Sequence, residues 1–176
     1  MNTAQTHEQQ LAKLQQKLGD IIVKVERDRQ NVPVVWVRRE RVIDALRATR
    51  EIDGLEYHFL SDLTAYDDVD GPDEGQGRFV VVYQLFSPQH KTRLRVKARV
   101  ADGQGIPSAT VLWDAANWAE REVFDMFGVK FDGHPDLRRI LMDVRWQGHP
   151  LRKDYHWRKQ QLFNDPEPIP EHLLKD

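Results

Sequence analysis

Leu11, Leu14 and Leu18 recur at three- and four-residue steps, which predicts a first helix with one apolar stripe. Thr6-His7-Glu8-Gln9 has the form of a capping box ahead of that stripe, and Gly19 is placed to end the helix. The period then shortens. Ile21, Ile22, Val23 and Val25 predict a first strand and Val32 to Val37 a second, with Pro33 marking its start or an edge. Ile43 and Leu46 restore helical spacing between Glu40 and Arg50, with Gly54 beyond the end. Three strands of a meander follow: Tyr57 to Tyr66, Phe79 to Phe86 and Thr92 to Val100. Phe79 to Phe86 is apolar on both faces and so should lie inside the sheet. In the last strand Leu94, Val96, Ala98 and Val100 alternate with Arg93, Arg95, Lys97 and Arg99.

Beyond these strands the punctuation becomes denser. Ser108 is placed to cap a short turn before Trp113, and Ala116, Ala119, Val123 and Phe127 form the buried stripe of a helix from about Asn117 to Phe127. Glu122 and Asp125 are expected on a common face beside Trp118, and Arg121 is spaced to pair with Asp125. Gly128 ends the helix, and Gly133-His134-Pro135 makes a tight turn. Phe131 to Arg138 and Trp146 to Arg152 then repeat one arrangement of aromatic, turn, leucine and basic residue, with Ile140-Leu141-Met142 as an apolar anchor between them. Pro166, Pro168 and Pro170 prevent a helix after Tyr155 and favour an extended arm, with a last turn at Glu171 to Leu174. Leu162, Phe163 and Ile169 suit that arm to lying on another surface.

The element order α-β-β-α-β-β-β predicts an α+β fold: a two-layer domain with a mixed sheet covered by helices on one face. A helix-loop signature segment and an extended C-terminal arm follow. Residues 1–106 form the α+β domain, 107–159 continue it as the signature helix and Gly-His-Pro loops, and 160–176 form the Pro-rich tail.

The 176 residues suffice for one domain with a sizeable core. With 40% hydrophobic and 31% charged residues and a formal charge of −2, nothing draws the chain to nucleic acid or anionic lipid. There is no cysteine, which removes disulfides, thiolate nucleophiles and Cys-ligated zinc or iron–sulfur clusters together. The first residues have neither a basic region nor an apolar core, so no signal peptide is expected, and no window is apolar enough to span a membrane. Asp67 to Gly75 invites a calcium reading. Aligning Gly71 with the glycine of an EF-hand loop puts Tyr66 and Gly77 where carboxylates are needed, so a solvated acidic hairpin loop fits better. The basic row Arg93, Arg95, Lys97, Arg99 is expected to lack interleaved aromatics on its face, which argues for a solvated face or edge over a nucleic-acid track.

Two chemistries compete for the segment from Trp113 to Lys159. A free-standing metal-dependent hydrolase would use His134 and His149 with Glu122 or Asp125, and needs the two loops to converge. The segment has no paired histidines at helical spacing, nucleophile elbow or phosphate-cradling loop. Its nine basic side chains meet eight acidic ones, with both signs interleaved, which indicates pairing within the chain or across an interface. Arginines and aromatics at this density suit a protein contact.

Asn117-Trp118, Glu120-Arg121-Glu122, Phe124-Asp125-Met126-Phe127-Gly128-Val129, Phe131 and Gly133-His134-Pro135-Asp136-Leu137-Arg138-Arg139-Ile140-Leu141 closely resemble the signature of the C subunit of NADH-quinone oxidoreductase, respiratory complex I. Trp146 and Gly148-His149-Pro150-Leu151-Arg152-Lys153-Asp154-Tyr155 continue the resemblance, and Phe59 to Ala65 matches more loosely. Asp143 and His156 stand where the family usually has proline. The resemblance implies a non-catalytic structural and assembly subunit of the hydrophilic arm, peripheral on the cytoplasmic side of a bacterial inner membrane. It would touch the membrane only through the complex. It also implies no cofactor in this chain, FMN and iron–sulfur clusters in partner subunits, and packing against the D and B subunits near the quinone-reducing module. The whole complex carries electrons from NADH to quinone and couples this to proton translocation. Related subunits serve photosynthetic-type NDH-1 complexes, membrane-bound hydrogenases and F420H2 dehydrogenases. The residues the resemblance assigns to an interface or ionic network are Trp118, Glu120, Arg121, Glu122, Asp125, Gly128, Gly133, His134, Pro135, Arg138, Arg139, Gly148, His149, Pro150, Arg152, Lys153 and Asp154.

Overall fold

Five strands form one mixed sheet in the order β1-β2-β5-β4-β3, built from β1 (Ile22–Arg27), β2 (Pro33–Val37), β3 (Phe59–Asp67), β4 (Phe79–Ser87) and β5 (Thr92–Val100). The computed structural model describes residues 3–69, 71, 77–156, 158, 161 and 163. Helices α1 (Thr3–Leu18), α2 (Val42–Glu51) and α3 (Ala116–Phe127) share one core with a single face of that sheet. The α+β two-layer expectation therefore stands.

The apolar stripe sets α1, but it begins a turn earlier than its leucines suggest. His7 and Gln10 are buried with Leu14 and Leu18, so Thr6 lies inside the helix and does not cap it. Tyr57 donates to the Gln10 side chain at 2.8 Å, and Gln10 donates to the Gly54 carbonyl at 3.0 Å, which closes the loop after α2 onto α1. Pro33 opens β2, which pairs antiparallel with β1 and parallel with β5. That crossover puts β5 in the middle of the sheet, so the basic row is not on an edge strand.

The row is not bare either. Lys97 pairs with Trp36 of β2 and Val82 of β4, and Tyr66 of β3 pairs with Val80, so aromatics reach the row from strands distant in sequence. Alternation in β5 identifies which residues share a face, while the company on that face comes from the crossover. Val34, Trp36, Val80 and Val82 form a small second apolar cluster there, screened by the stems of the basic side chains.

After β5 the chain adds a second sheet that periodicity does not indicate. β6 (Gly105–Pro107) and β7 (Lys130–Asp132) pair in parallel and bracket α3. Strands this short carry no readable alternation. Ser108 caps the turn Ala109–Val111 as expected, its side chain accepting from the Thr110 amide at 3.2 Å. At the end of β3 and in the acidic link after it, Asp67 pairs with Arg78 and Asp68 with Arg99, so neither carboxylate is free for calcium. Residues 70 and 72–76 of that link lie outside the described residues, as do 157, 159, 160, 162 and 164–176 of the C-terminal arm. Of the arm, Phe163 meets Trp146 edge-on at 6.3 Å, and Gln161 donates to the Gln147 carbonyl at 2.8 Å.

Candidate functional site

α3 and the loops after it carry the signature residues. The loops from Gly133 to Tyr155 form no helix or strand, so their backbone groups need other partners. The signature side chains supply them.

Asp125 is fully buried at 0% exposure on the inner side of α3. Its Oδ2 accepts from the amides of Ile140, Leu141 and Met142 at 3.0, 2.8 and 2.8 Å, and its Oδ1 accepts from Arg139 at 2.5 Å. Burial alone would raise this carboxyl's pKa. The three amides and the Arg139 guanidinium outweigh that and hold it below the usual carboxylate range. The expected Arg121–Asp125 pair does not form, and Glu122 and Asp125, although neighbours on the helix surface, differ in burial. Arg121 instead donates to the carbonyls of Arg138 and Arg139 at 3.1 and 3.3 Å, while Glu122 points outward. Residues 122 and 125 are about 60° apart around the helix axis, and the edge between the buried and the solvent-facing side of α3 runs between them.

The two histidines serve the same end. His134 Nδ1 accepts from the Asp136 amide at 3.0 Å, so its other nitrogen carries the proton and donates to the Asn117 carbonyl at 3.1 Å. His149 donates through Nδ1 to the Asp125 carbonyl at 2.9 Å. Burial lowers its pKa, and the nearby Arg152 and Arg139 add to that against the pull of the Asp125 carbonyl. The rings thus attach near opposite ends of α3, at carbonyls eight residues and roughly 12 Å apart. They do not converge as a hydrolase would need, and the described residues hold no cluster of three or more potential metal ligands.

Glu120 is equally buried, at 0% exposure, and faces the opposite neighbour. It accepts from Ser108 Oγ at 2.7 Å and from the Ala109 amide at 2.6 Å, tying the turn after β6 to α3. Burial pushes its pKa up to about 7 against the pull of those two donors. At the other end of α3, Gly128 sits at φ 76°, and a Cβ there would lie 2.5 Å from His149 Nε2 and 2.7 Å from Arg152 Nη2. Only glycine admits both the turn and this approach. Arg152 donates to the Phe127 carbonyl at 2.6 Å and bridges to Asp102 at 2.9 Å.

The remaining signature residues extend the brace. Arg138 grips Asp136 at 2.6 and 2.7 Å, and the Gly148 carbonyl accepts from Arg139 at 3.0 Å. The Lys153 amide donates to Asp67 at 2.9 Å, and Asp154 pairs with Arg78 at 2.8 Å. Gly133 and Pro135 lie exposed in the first turn, and Pro150 is half-buried in the second. What faces outward is of another kind. Trp118 is 67% exposed, with Arg121 over its ring at 5.6 Å, and Leu141 and Leu151 are 61% and 55% exposed. Leu141 and Leu151 were not among the expected interface residues. An exposed leucine leaves no mark in a sequence.

Comparison with known proteins gives a consistent result. Residues 35–161 match the family described as respiratory-chain NADH dehydrogenase, 30 Kd subunit. The C subunit of the NADH-quinone oxidoreductase of Geobacter sulfurreducens is 47% identical over 144 residues, covering 81% of this chain and 85% of that protein. A NADH-quinone oxidoreductase C/D protein of Ectopseudomonas mendocina is 39% identical over 149 residues, covering 82% of this chain and 25% of that protein. A solved trypsin-resistant fragment of Nqo5 superimposes with a TM-score of 0.63 at 31% identity, covering 75% of this chain and 99% of the fragment.

Proposed function

Since the chain belongs to the respiratory-chain NADH dehydrogenase 30 Kd subunit family, we propose that it is a structural and assembly subunit of the peripheral arm of a NADH-quinone oxidoreductase. It carries no active site of its own and packs against the D subunit, with the B subunit adjacent. Its place is the cytoplasmic side of a bacterial membrane, held there by the complex. Among the described residues no helix is long and apolar enough to cross a membrane.

One observation carries this reading. Glu120, Asp125, His134, His149, Arg121, Arg139 and Arg152 each bind this chain's own backbone, so they brace loops and leave no converging acid, base or nucleophile. The outward side of the same brace offers Trp118, a residue type that anchors protein contacts, and the exposed Leu141 and Leu151 add apolar surface beside it. The C/D protein supports the D subunit as the partner, because its name joins C and D in one polypeptide.

Affinity purification of the tagged chain from native membranes tests the reading. The D and B subunits should co-purify, and a chain recovered without them would refute it. Arg139→Ala should lower the amount of assembled complex while leaving the turnover of each assembled complex unchanged. Normal assembly with slowed quinone reduction would place chemistry in this subunit.

A further inference from the structure

Helices cover one face of the five-stranded sheet, and no described element covers the other. That second face is not the wholly solvated surface its basic residues suggest. Trp36 lies near its centre, only 7% exposed, with Lys24, Lys97 and Arg99 over its ring at 4.7, 5.1 and 5.4 Å. Val34, Val80 and Val82 surround it. Lys97 also lies 5.4 Å from the Tyr66 ring, so its ammonium is held between two aromatics from strands on either side of its own.

The nearby carboxylates are already engaged. Glu26 accepts from the Trp36 indole at 2.7 Å and pairs with Lys24 at 3.4 Å, and Asp68 pairs with Arg99 at 2.6 Å. Arg95 is paired with Asp28. Lys97 alone of the three cations on Trp36 makes no ion pair among the described residues, although it is half-buried. Burial lowers its pKa, which marks the desolvation a missing anion would relieve. Arg99 continues the surface around the sheet's end into a cleft of about 570 Å³, lined by Arg38 and Arg39 beside the apolar Ile22, Val23 and Val37.

We propose that this uncovered sheet face is a second docking surface, taking a neighbouring subunit of the same complex that places a carboxylate, flanked by apolar side chains, against Lys97. The inference rests on the assembly role given above and adds a contact on the side of the sheet opposite α3. Charge complementarity selects the occupant. Among the described residues this one half-buried cation makes no ion pair, while its neighbours are neutralised, so the face suits a single carboxylate set in apolar contacts. A nucleic-acid backbone would require several free cations along a track. Strand spacing and length make the face on the order of 500 Å², and the adjoining cleft brings it toward the roughly 800 Å² per partner of a standard interface.

The test is site-specific photo-crosslinking in the complex purified from native membranes through the tagged full-length chain. Benzoylphenylalanine replaces Thr64, which lies on the uncovered face opposite Val82, and Glu51 on α2 serves as the control position. The expected result is a crosslink from position 64, and none from 51, to another subunit through a peptide that contains Asp or Glu. Lys97→Glu should cut that yield by about tenfold or more, because a buried contact then sets two like charges together. Lys97→Met keeps the stem over Trp36 and guards against misfolding, and it should lower the yield less. A complex that co-purifies normally but gives no crosslink at 64 overturns this inference and leaves the assembly role standing. An undiminished yield with Lys97→Glu does the same, as does a crosslink to a second copy of this chain or to nucleic acid. Failure to recover any other subunit overturns both.

Discussion

Asp125→Ala tests the account of the signature most directly. The substitution removes the acceptor for three amides, Ile140, Leu141 and Met142, and the carboxylate that Arg139 grips. Breaking a buried pair by deleting one member costs about 3–5 kcal/mol, and the orphaned amides place the loss toward the upper end. Out of a stability of about 5–15 kcal/mol this is a large share. For a chain of this size it lowers the melting temperature by roughly 6–20 °C. Asp125→Asn separates charge from shape. It keeps the volume, yet it must turn an amide donor toward either the three N–H groups or Arg139, so it should lose nearly as much. The pH dependence has a definite sign. The folded-state pKa is depressed, so the stabilisation is fully present above the unfolded value of about 3.9 and is lost as pH falls through the folded one. The deficit of Asp125→Ala should therefore be greatest at neutral pH and shrink below about pH 4. Thermal melting across that range, with hydrogen exchange at residues 140–142, measures both effects. An Asp125→Asn protein that melts within about 2 °C of the parent, with those amides still protected, would refute the reasoning.

Three further outcomes follow from the same geometry. Glu120 has the opposite sign, since its folded pKa of about 7 lies above its unfolded value and stability should fall as pH rises between them. Glu120→Gln should flatten that slope and be at least as stable as the parent at pH 8, as urea titrations would read. Gly128→Ala must strain a left-handed residue and drive its methyl into His149 and Arg152, which predicts a loss of at least about 1–3 kcal/mol and faster amide exchange in residues 148–154. Trp118→Ala should change the stability of the chain by less than about 0.5 kcal/mol yet reduce co-purification of the D subunit several-fold; a large stability loss would show that the indole belongs to this chain's own packing.

The strands of the main sheet and the three helices were legible because each has a period long enough to read. The leucines of α1, the alternation of β5 and the apolar run of β4 each identify an element and its inner face. What could not be read was non-local. The parallel pairing of β2 with β5 put the basic row, expected on a solvated face or an edge, at the centre of the sheet and set Trp36 and Tyr66 beside it. No spacing within Thr92 to Val100 encodes that neighbour. The same holds for Arg121, whose helical spacing to Asp125 was correct but whose rotamer follows the loop carbonyls that arrive seventeen and eighteen residues later.

That last substitution of partners shows what these loops require of the side chains around them. Irregular loops leave amides and carbonyls without neighbours from a ladder or helix, and each buried one must find a side chain. Asp125 can serve three consecutive amides because a carboxylate has lone pairs to spare. Asparagine in its place would offer a single acceptor oxygen. His134 must accept at one nitrogen and donate at the other, which a lysine or a glutamate cannot do. The demands on these positions thus arise from the chain's own backbone, whereas Trp118 and Glu122 on α3 and Leu141 in the loop after it face outward. Substitutions in the first set should act through folding and those in the second through assembly. A variant at Trp118 that lowers both to the same degree would break the division.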